Sequence, residues 1–270
     1  MSSSHPVFNP NSPSELLEFR IFLDALENKY NNPKFIENDP ISLPHSVSTL
    51  QDKEIMAFFS AIFAIGRRNT SIRKTLLILE LMDGEPHSFV LAHSEKELAR
   101  FLNFTHRYFK DIDILYFICF FKHYYSKNST LEIAFSQHLT ANSKDTQAAL
   151  KGFYHTFFSL PDVPKHTRKH IASPTSKMAS KRLHMLLRWM VRNDGKGVDL
   201  GLWKTISPAL LICPLDVHSG DVARKLGLLR RKESDLLAAL ELTANLRLLC
   251  PEDPVKYDFA LFGSGEDGIL

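Results

Sequence analysis

Cysteine and glycine are scarce in this chain, with three Cys and 11 Gly among 270 residues. Cys119, Cys213 and Cys250 lie far apart and form no Cys-x-x-Cys pair. That spacing excludes a disulfide framework and gives no recognisable zinc or iron–sulfur pattern. Their apolar neighbours predict three small buried core residues. Long hydrophobic runs are also missing. The most apolar window, Asp113 to Phe121, is too short to span a bilayer and reads as a buried core helix. Met1-Ser-Ser-Ser-His-Pro6 carries neither the charged nor the apolar region of a signal peptide, so a cytoplasmic protein without membrane contact is expected. Hydrophobic residues at 44% and charged residues at 23% are the proportions of a globular chain and exclude wholesale disorder.

One absence is local. From Val163 to Asn193, thirty-one residues pass without an Asp or Glu. The same stretch holds Lys165, Arg168, Lys169, Lys177, Lys181, Arg182, Arg188 and Arg192, with His166, His170 and His184. Such a local field suits a polyanion, and nucleic acid is the natural candidate. The alternative is an ordinary solvated helix face whose acids lie elsewhere in the fold.

What is present is helical periodicity. Ser14–Tyr30 reads as an amphipathic helix with Ser12 or Ser14 as N-cap and Leu16, Leu17, Phe19, Phe22 and Leu23 as apolar positions. Residues 31–50 read as a polar loop with three prolines. Residues 52–82 read as one long helix or two joined near Gly66. Further helices are expected at 94–101, 111–125, 131–138, 146–158, 217–226, 232–246 and 254–262, with two helical pieces in the basic segment split by Ser173-Pro174. No strand ladder or solenoid repeat stands out. The expected fold class is all-α. The expected organisation is an N-terminal helix and loop (1–50) packing on a C-terminal lobe, a helical lobe (51–164), a hairpin-like DNA-binding segment (165–193) and a C-terminal helical lobe (194–270).

Two segments carry candidate chemistry. In Lys181–Arg192, Leu183, Leu186, Leu187 and Met190 form one face, while Lys181, Met185, Arg188 and Arg192 recur at i, i+4, i+7 and i+11 on another. An amine aligned with two guanidiniums can face a phosphate-lined groove; equally, Lys and Arg are good helix formers on exposed faces. In Ile212–Leu228, Asp216 follows Pro214 and precedes an apolar-periodic run, the place of an N-cap. Gly227 then supplies a residue for the helix C-terminus. A carboxylate there can serve as a cap alone, or also stabilise positive charge on a sugar and deprotonate a nucleophile.

Pro214-Leu-Asp-Val-His218 followed by Val222-Ala-Arg-Lys-Leu-Gly-Leu228 resembles the catalytic segment of helix-hairpin-helix DNA glycosylases, in which the aspartate is essential. Phe58–Lys74 resembles an early helix–turn segment of that superfamily, and Tyr257-Asp-Phe-Ala-Leu-Phe-Gly263 its closing helix, here without cluster-binding cysteines. Nearly the whole chain is similar to a widespread bacterial family of conserved hypothetical proteins, through such stretches as Tyr30–Phe35, Phe101–Arg107, Lys181–Arg192 and Asp199–Trp203. The archaeal 8-oxoguanine glycosylase branch has a catalytic lysine opening an apolar helix, which maps onto Lys181, with Lys177 as the other candidate. The glycine-containing hairpin, Leu-Pro-Gly-Val-Gly, is replaced here by Ile171-Ala-Ser-Pro-Thr-Ser-Lys-Met-Ala-Ser180.

The resemblance implies a two-lobed helix-hairpin-helix glycosylase-like fold with a central cleft, and a monomer acting on double-stranded DNA that contains a damaged base. It implies base excision with associated AP lyase activity on 8-oxoguanine, with no metal or organic cofactor. Lys181 would be the nucleophile and Asp216 its charged partner. Ser176, Lys177, Ser180, Arg182, Arg188 and Arg192 would contact DNA. Arg67, Asn69, Trp189 and Trp203 would line the base pocket, with Phe63 a further stacking candidate, and His218 would be structural. Two other readings compete: a DNA-binding protein of the same fold without turnover, and a helical interaction protein unrelated to nucleic acid.

Overall fold

In the computed structural model, which describes residues 5–172 and 178–269, the regular structure is almost all helical. The α-helices are α1 (Pro13–Tyr30), α2 (Ser42–His45), α3 (Leu50–Phe63), α4 (Arg68–Leu81), α5 (Pro86–Ala92), α6 (Glu95–Leu98), α7 (Asp111–Tyr125), α8 (Ile133–Ser136), α9 (Gln147–Phe157), α10 (Lys181–Val191), α11 (Val217–Lys225), α12 (Leu236–Leu249) and α13 (Asp258–Glu266). Short 3-10 segments include Pro33–Asn38, Thr167–His170 and Pro254–Tyr257. One two-stranded antiparallel hairpin pairs β1 (Thr105–His106) with β2 (Phe109–Lys110). The all-α expectation holds, and among the described residues no helix is long and apolar enough to cross a membrane.

The chain divides into two compact units. One unit comprises Met1–Phe35, Lys177–Gly201 and Ile206–Leu270. In it α13 packs against α1 and α11. The other comprises Ile36–Ser176 and Leu202–Thr205. Its centre is aromatic: Phe58 of α3 meets Phe117 and Phe121 of α7 edge-on, at ring separations of 5.4 and 5.2 Å. Such edge-to-face pairs let many rings share one core without stacking repulsion.

The local chemistry of helix ends explains most boundaries. Thr49 caps α3 by accepting from the Asp52 amide, and Asp235 caps α12 by accepting from Ala238. The long periodic stretch breaks into α3 and α4 because Gly66 takes a left-handed backbone, φ +83°. Gly227 ends α11 in the same way at φ +77°, with the Leu228 amide returning to the Ala223 carbonyl at 2.9 Å.

Several expectations needed correction. Residues 31–50 are not simply a polar loop: Ile41, Leu43, Pro44 and Val47 are buried, and Leu43 and Val47 cluster with Met56 and Leu79. Four apolar side chains spread among polar residues lack helical period, yet tertiary packing collects them. Helix α5 was not expected; Pro86 takes the first helical turn, where its missing N–H costs nothing. On α1, Phe19 and Leu23 are buried but Leu17 is 59% exposed. Cys119 is exposed, whereas Cys213 and Cys250 are buried. On α7 the inward face is claimed by Phe117, Phe120 and Phe121, leaving Cys119 on the other side. The expected helix break at Ser173-Pro174 lies outside the described residues.

Candidate active site

Helix α10 positions the basic residues. Its apolar side, Leu183, Leu186, Leu187 and Met190, is fully buried as its period predicts. The basic side does not face solvent as a whole. Arg188 donates through Nε to Asp199 at 3.2 Å and through Nη1 to Asp258. Arg192 donates through Nη1 to Asp199 at 2.5 Å, through Nε to both oxygens of Asp253 at 3.0 Å, and through Nη2 to Asp194 at 3.0 Å. Side-chain exposure is 5% for Arg188 and 1% for Arg192. Despite burial, the flanking Asp199 and Asp253 carboxylates push the Arg192 pKa upward. Planar guanidiniums that make several hydrogen bonds at once are the cations best suited to such an interior. These two arginines therefore bind the 194–199 loop and the start of α13 to α10. The expectation that they contact DNA phosphates is overturned.

At the other end of the same face, Lys181 remains accessible, its side chain 34% exposed. Its Nζ lies 2.6 Å from Oδ2 of Asp216. Asp216 is the N-cap of α11, in a reciprocal capping box: its Oδ1 accepts from the Ser219 amide at 2.8 Å, and Ser219 Oγ accepts from the Asp216 amide at 3.1 Å. The two carboxylate oxygens thus divide the two roles left open by the sequence. Oδ1 holds the helix and Oδ2 faces the amine. Burial works to raise the Asp216 pKa, but the Lys181 ammonium and the Ser219 hydrogen bonds outweigh it and hold the group below the usual carboxylate value.

Behind this pair lies Asp258, the first residue of α13, almost wholly buried. Burial raises its pKa, the Asp216 charge adds to the rise, and its Arg188 partner opposes it. The Cys213 thiol, 3.9 Å from Asp258, is driven well above its ordinary value by burial and that same carboxylate, which makes it inert as a nucleophile.

The remaining predicted positions separate into distinct environments. Trp189 and Trp203 are 0% and 1% exposed, so neither is available to stack on a base; both are core residues. Trp203 donates Nε1–H to Glu54 at 2.7 Å, which explains its burial with its polar atom satisfied. Phe63 is likewise fully buried, within 4.9 Å of the Phe109 ring. Arg67 and Asn69 are exposed at the start of α4, in the unit that does not contain Lys181. Arg182 is half-buried, and burial draws its pKa down to about 10, still charged at neutral pH. Ser180 opens α10 with a left-handed backbone, φ +49°, and its hydroxyl donates to the Met178 carbonyl at 3.3 Å. His218 is exposed on the first turn of α11. Ser176 and Lys177 lie outside the described residues.

Sequence reasoning missed the acids that neutralise α10. Asp194 and Asp199 follow directly after the acid-free run, a signal that the run has its counter-ions close at hand. It also missed a grouping in the other unit, where Asp113, His166 and His170 converge.

Residues 39–267 match the family described as Protein of unknown function (DUF2400), and the chain belongs to it. No curated protein and no solved structure matches the chain.

Proposed function

We propose that this protein is a base-excision DNA glycosylase with AP lyase activity, in which Lys181 is the nucleophile and Asp216 its charged partner. The observation that carries the reading is the 2.6 Å contact between Lys181 Nζ and Asp216 Oδ2. Of the three aligned cations on α10, Lys181 is the one left accessible, while Arg188 and Arg192 are committed to buried carboxylates. An accessible amine with a carboxylate in hydrogen-bond reach, able to take up its proton, is the arrangement a Schiff-base lyase needs. The two-lobed helix-hairpin-helix fold and a damaged base such as 8-oxoguanine in duplex DNA belong to the same proposal.

The steps follow from the groups. The Lys181 ammonium gives a proton to Asp216, which passes it on to the departing base, and the neutral amine attacks C1′ of the damaged nucleotide. The C1′–N bond breaks and the base leaves with the bonding pair, taking up a proton. Positive charge develops on the sugar as the bond lengthens, and Asp216 stands where it stabilises that charge. Opening of the sugar ring leaves an iminium between Lys181 Nζ and C1′. Loss of a C2′ proton then expels the 3′ phosphate by β-elimination. The base must leave the helical stack to reach the amine.

Borohydride trapping tests this directly. Hydride reduces the iminium to a stable secondary amine, so wild type incubated with 8-oxoguanine duplex is expected to form a covalent adduct that Lys181→Ala does not form. Absence of an adduct with a panel of common lesions and with an abasic site would sink the lyase reading.

A second reading has its own support: the capping box accounts for the position of Asp216 without any chemistry. On that reading the protein binds DNA without turnover. Duplex binding that weakens steeply with salt, unaccompanied by any trapped adduct, would favour it.

A further inference from the structure

In the unit that does not contain Lys181, three side chains from two elements point at one place. Asp113 sits in the first turn of α7, His166 directly precedes the 3-10 segment Thr167–His170, and His170 ends it. Their ligand-capable atoms all lie within 4.8 Å of one another. Nδ1 of His166 lies 3.1 Å from both carboxylate oxygens of Asp113, and Nε2 of His170 lies 3.1 Å from Oδ2. That oxygen also accepts the Lys110 amide at 2.8 Å. Both imidazoles therefore turn a ring nitrogen toward the one carboxylate.

We propose that Asp113, His166 and His170 form a binding site for a divalent first-row transition metal ion of the zinc type, with water completing the coordination. This goes beyond the glycosylase reading and does not depend on it. Two imidazole nitrogens and a carboxylate oxygen are borderline ligands, suited to zinc and its neighbours rather than to calcium or magnesium. The His-x-x-x-His spacing is one that zinc sites use. The nitrogen–oxygen separations of 3.1 Å also fit: ligand atoms about 2.0–2.1 Å from a tetrahedral zinc lie roughly 3.3 Å apart. An ion between the imidazoles and the carboxylate would draw both ring nitrogens and a carboxylate oxygen to a common centre.

The surroundings are those of an oriented site. Thr167 Oγ1 donates to Asp113 Oδ1 at 2.7 Å, and with the Lys110 amide it fixes the plane of the carboxylate. The His170 ring stacks on Phe109 with centroids 4.0 Å apart, which fixes its orientation. Outer contacts of this kind align ligands before the metal arrives. Asp113 and His170 are buried, while the His166 side chain is 31% exposed. The approach for the ion and its water is therefore on the His166 side.

The test uses the full-length protein after treatment with a chelator. Titration with cobalt(II) is expected to give the visible bands of a low-symmetry, four-coordinate ion at one equivalent, and zinc is expected to displace it. His166→Ala is the informative variant, because its half-exposed ring can be removed with little loss of core. It is expected to weaken zinc binding by at least about 10-fold relative to wild type, with an unchanged thermal melt in the metal-free state. His166→Asn serves the same purpose if the alanine variant proves unstable. Lack of a cobalt band in wild type, or equal metal affinity in wild type and a folded His166 variant, would overturn the site.

Discussion

The Lys181 amine and the Asp216 carboxylate meet at 2.6 Å across a sequence separation of thirty-five residues, the first opening α10 and the second capping α11. The contact uses Oδ2 alone, because Oδ1 is engaged by the Ser219 amide. Cap and charged partner are therefore separable by substitution.

Asp216→Ser is expected to retain the helix, since a serine hydroxyl also caps, and to change stability by less than about 1 kcal/mol. Adduct formation should be lost. Urea unfolding paired with trapping measures both. Parallel loss of stability and adduct would show that the aspartate acts only as a cap.

The pH dependence follows from the same pair. Lys181 and Ser219 hold the folded Asp216 pKa below its unfolded value against the opposing effect of burial. A depressed acid stabilises the fold above the unfolded pKa, and that contribution disappears as pH falls through the folded one. Stability of wild type relative to Lys181→Met should therefore be constant near neutrality and shrink as pH drops through and below the ordinary aspartate range. Unfolding curves at a series of pH values check this; a difference that grows toward acid would refute the assignment.

Arg192 and Arg188 should behave as internal structure. Arg192→Met strands Asp199, Asp253 and Asp194 without their shared cation and is expected to cost about 3–5 kcal/mol, read by urea unfolding. A stable Arg192→Met protein whose DNA binding has a shallower salt dependence would instead restore the arginine to the surface role that its burial denies.

Glu54 presents a different buried carboxylate. It accepts from Thr130, Leu131, Trp203 and Tyr125. Burial raises its pKa while these four donors oppose the rise. Glu54→Gln replaces an oxygen by an NH2 group that faces donors, so a loss of about 1–3 kcal/mol is expected. Thermal or urea unfolding of the variant measures it, and a neutral outcome would mean that the carboxyl is protonated in the folded state.

Helix positions were legible from the sequence wherever an apolar period met a punctuating residue. The α7 boundaries, Asp111–Tyr125, coincide with the expected ones because a charged first turn precedes a continuous apolar run. Asp216 was legible for the same reason: a short acid after proline and before a periodic segment is a cap by local chemistry alone. The 31–50 segment and α5 were not, because their burial comes from partners distant in the chain.

The sequence by itself determined that Lys181, Arg188 and Arg192 share one face of a helix, since a period of 3.6 residues leaves no other arrangement. It could not say what lies opposite that face. Only the tertiary structure decided this, by bringing Asp199, Asp253 and Asp258 against the two arginines and the largely buried Asp216 against the partly exposed lysine. The physical reason is that helical period is a property of neighbouring residues, whereas the burial of a charge depends on whether folding delivers a counter-charge to it. Two cations of the row thereby became part of the core, and the third remained within reach of solvent.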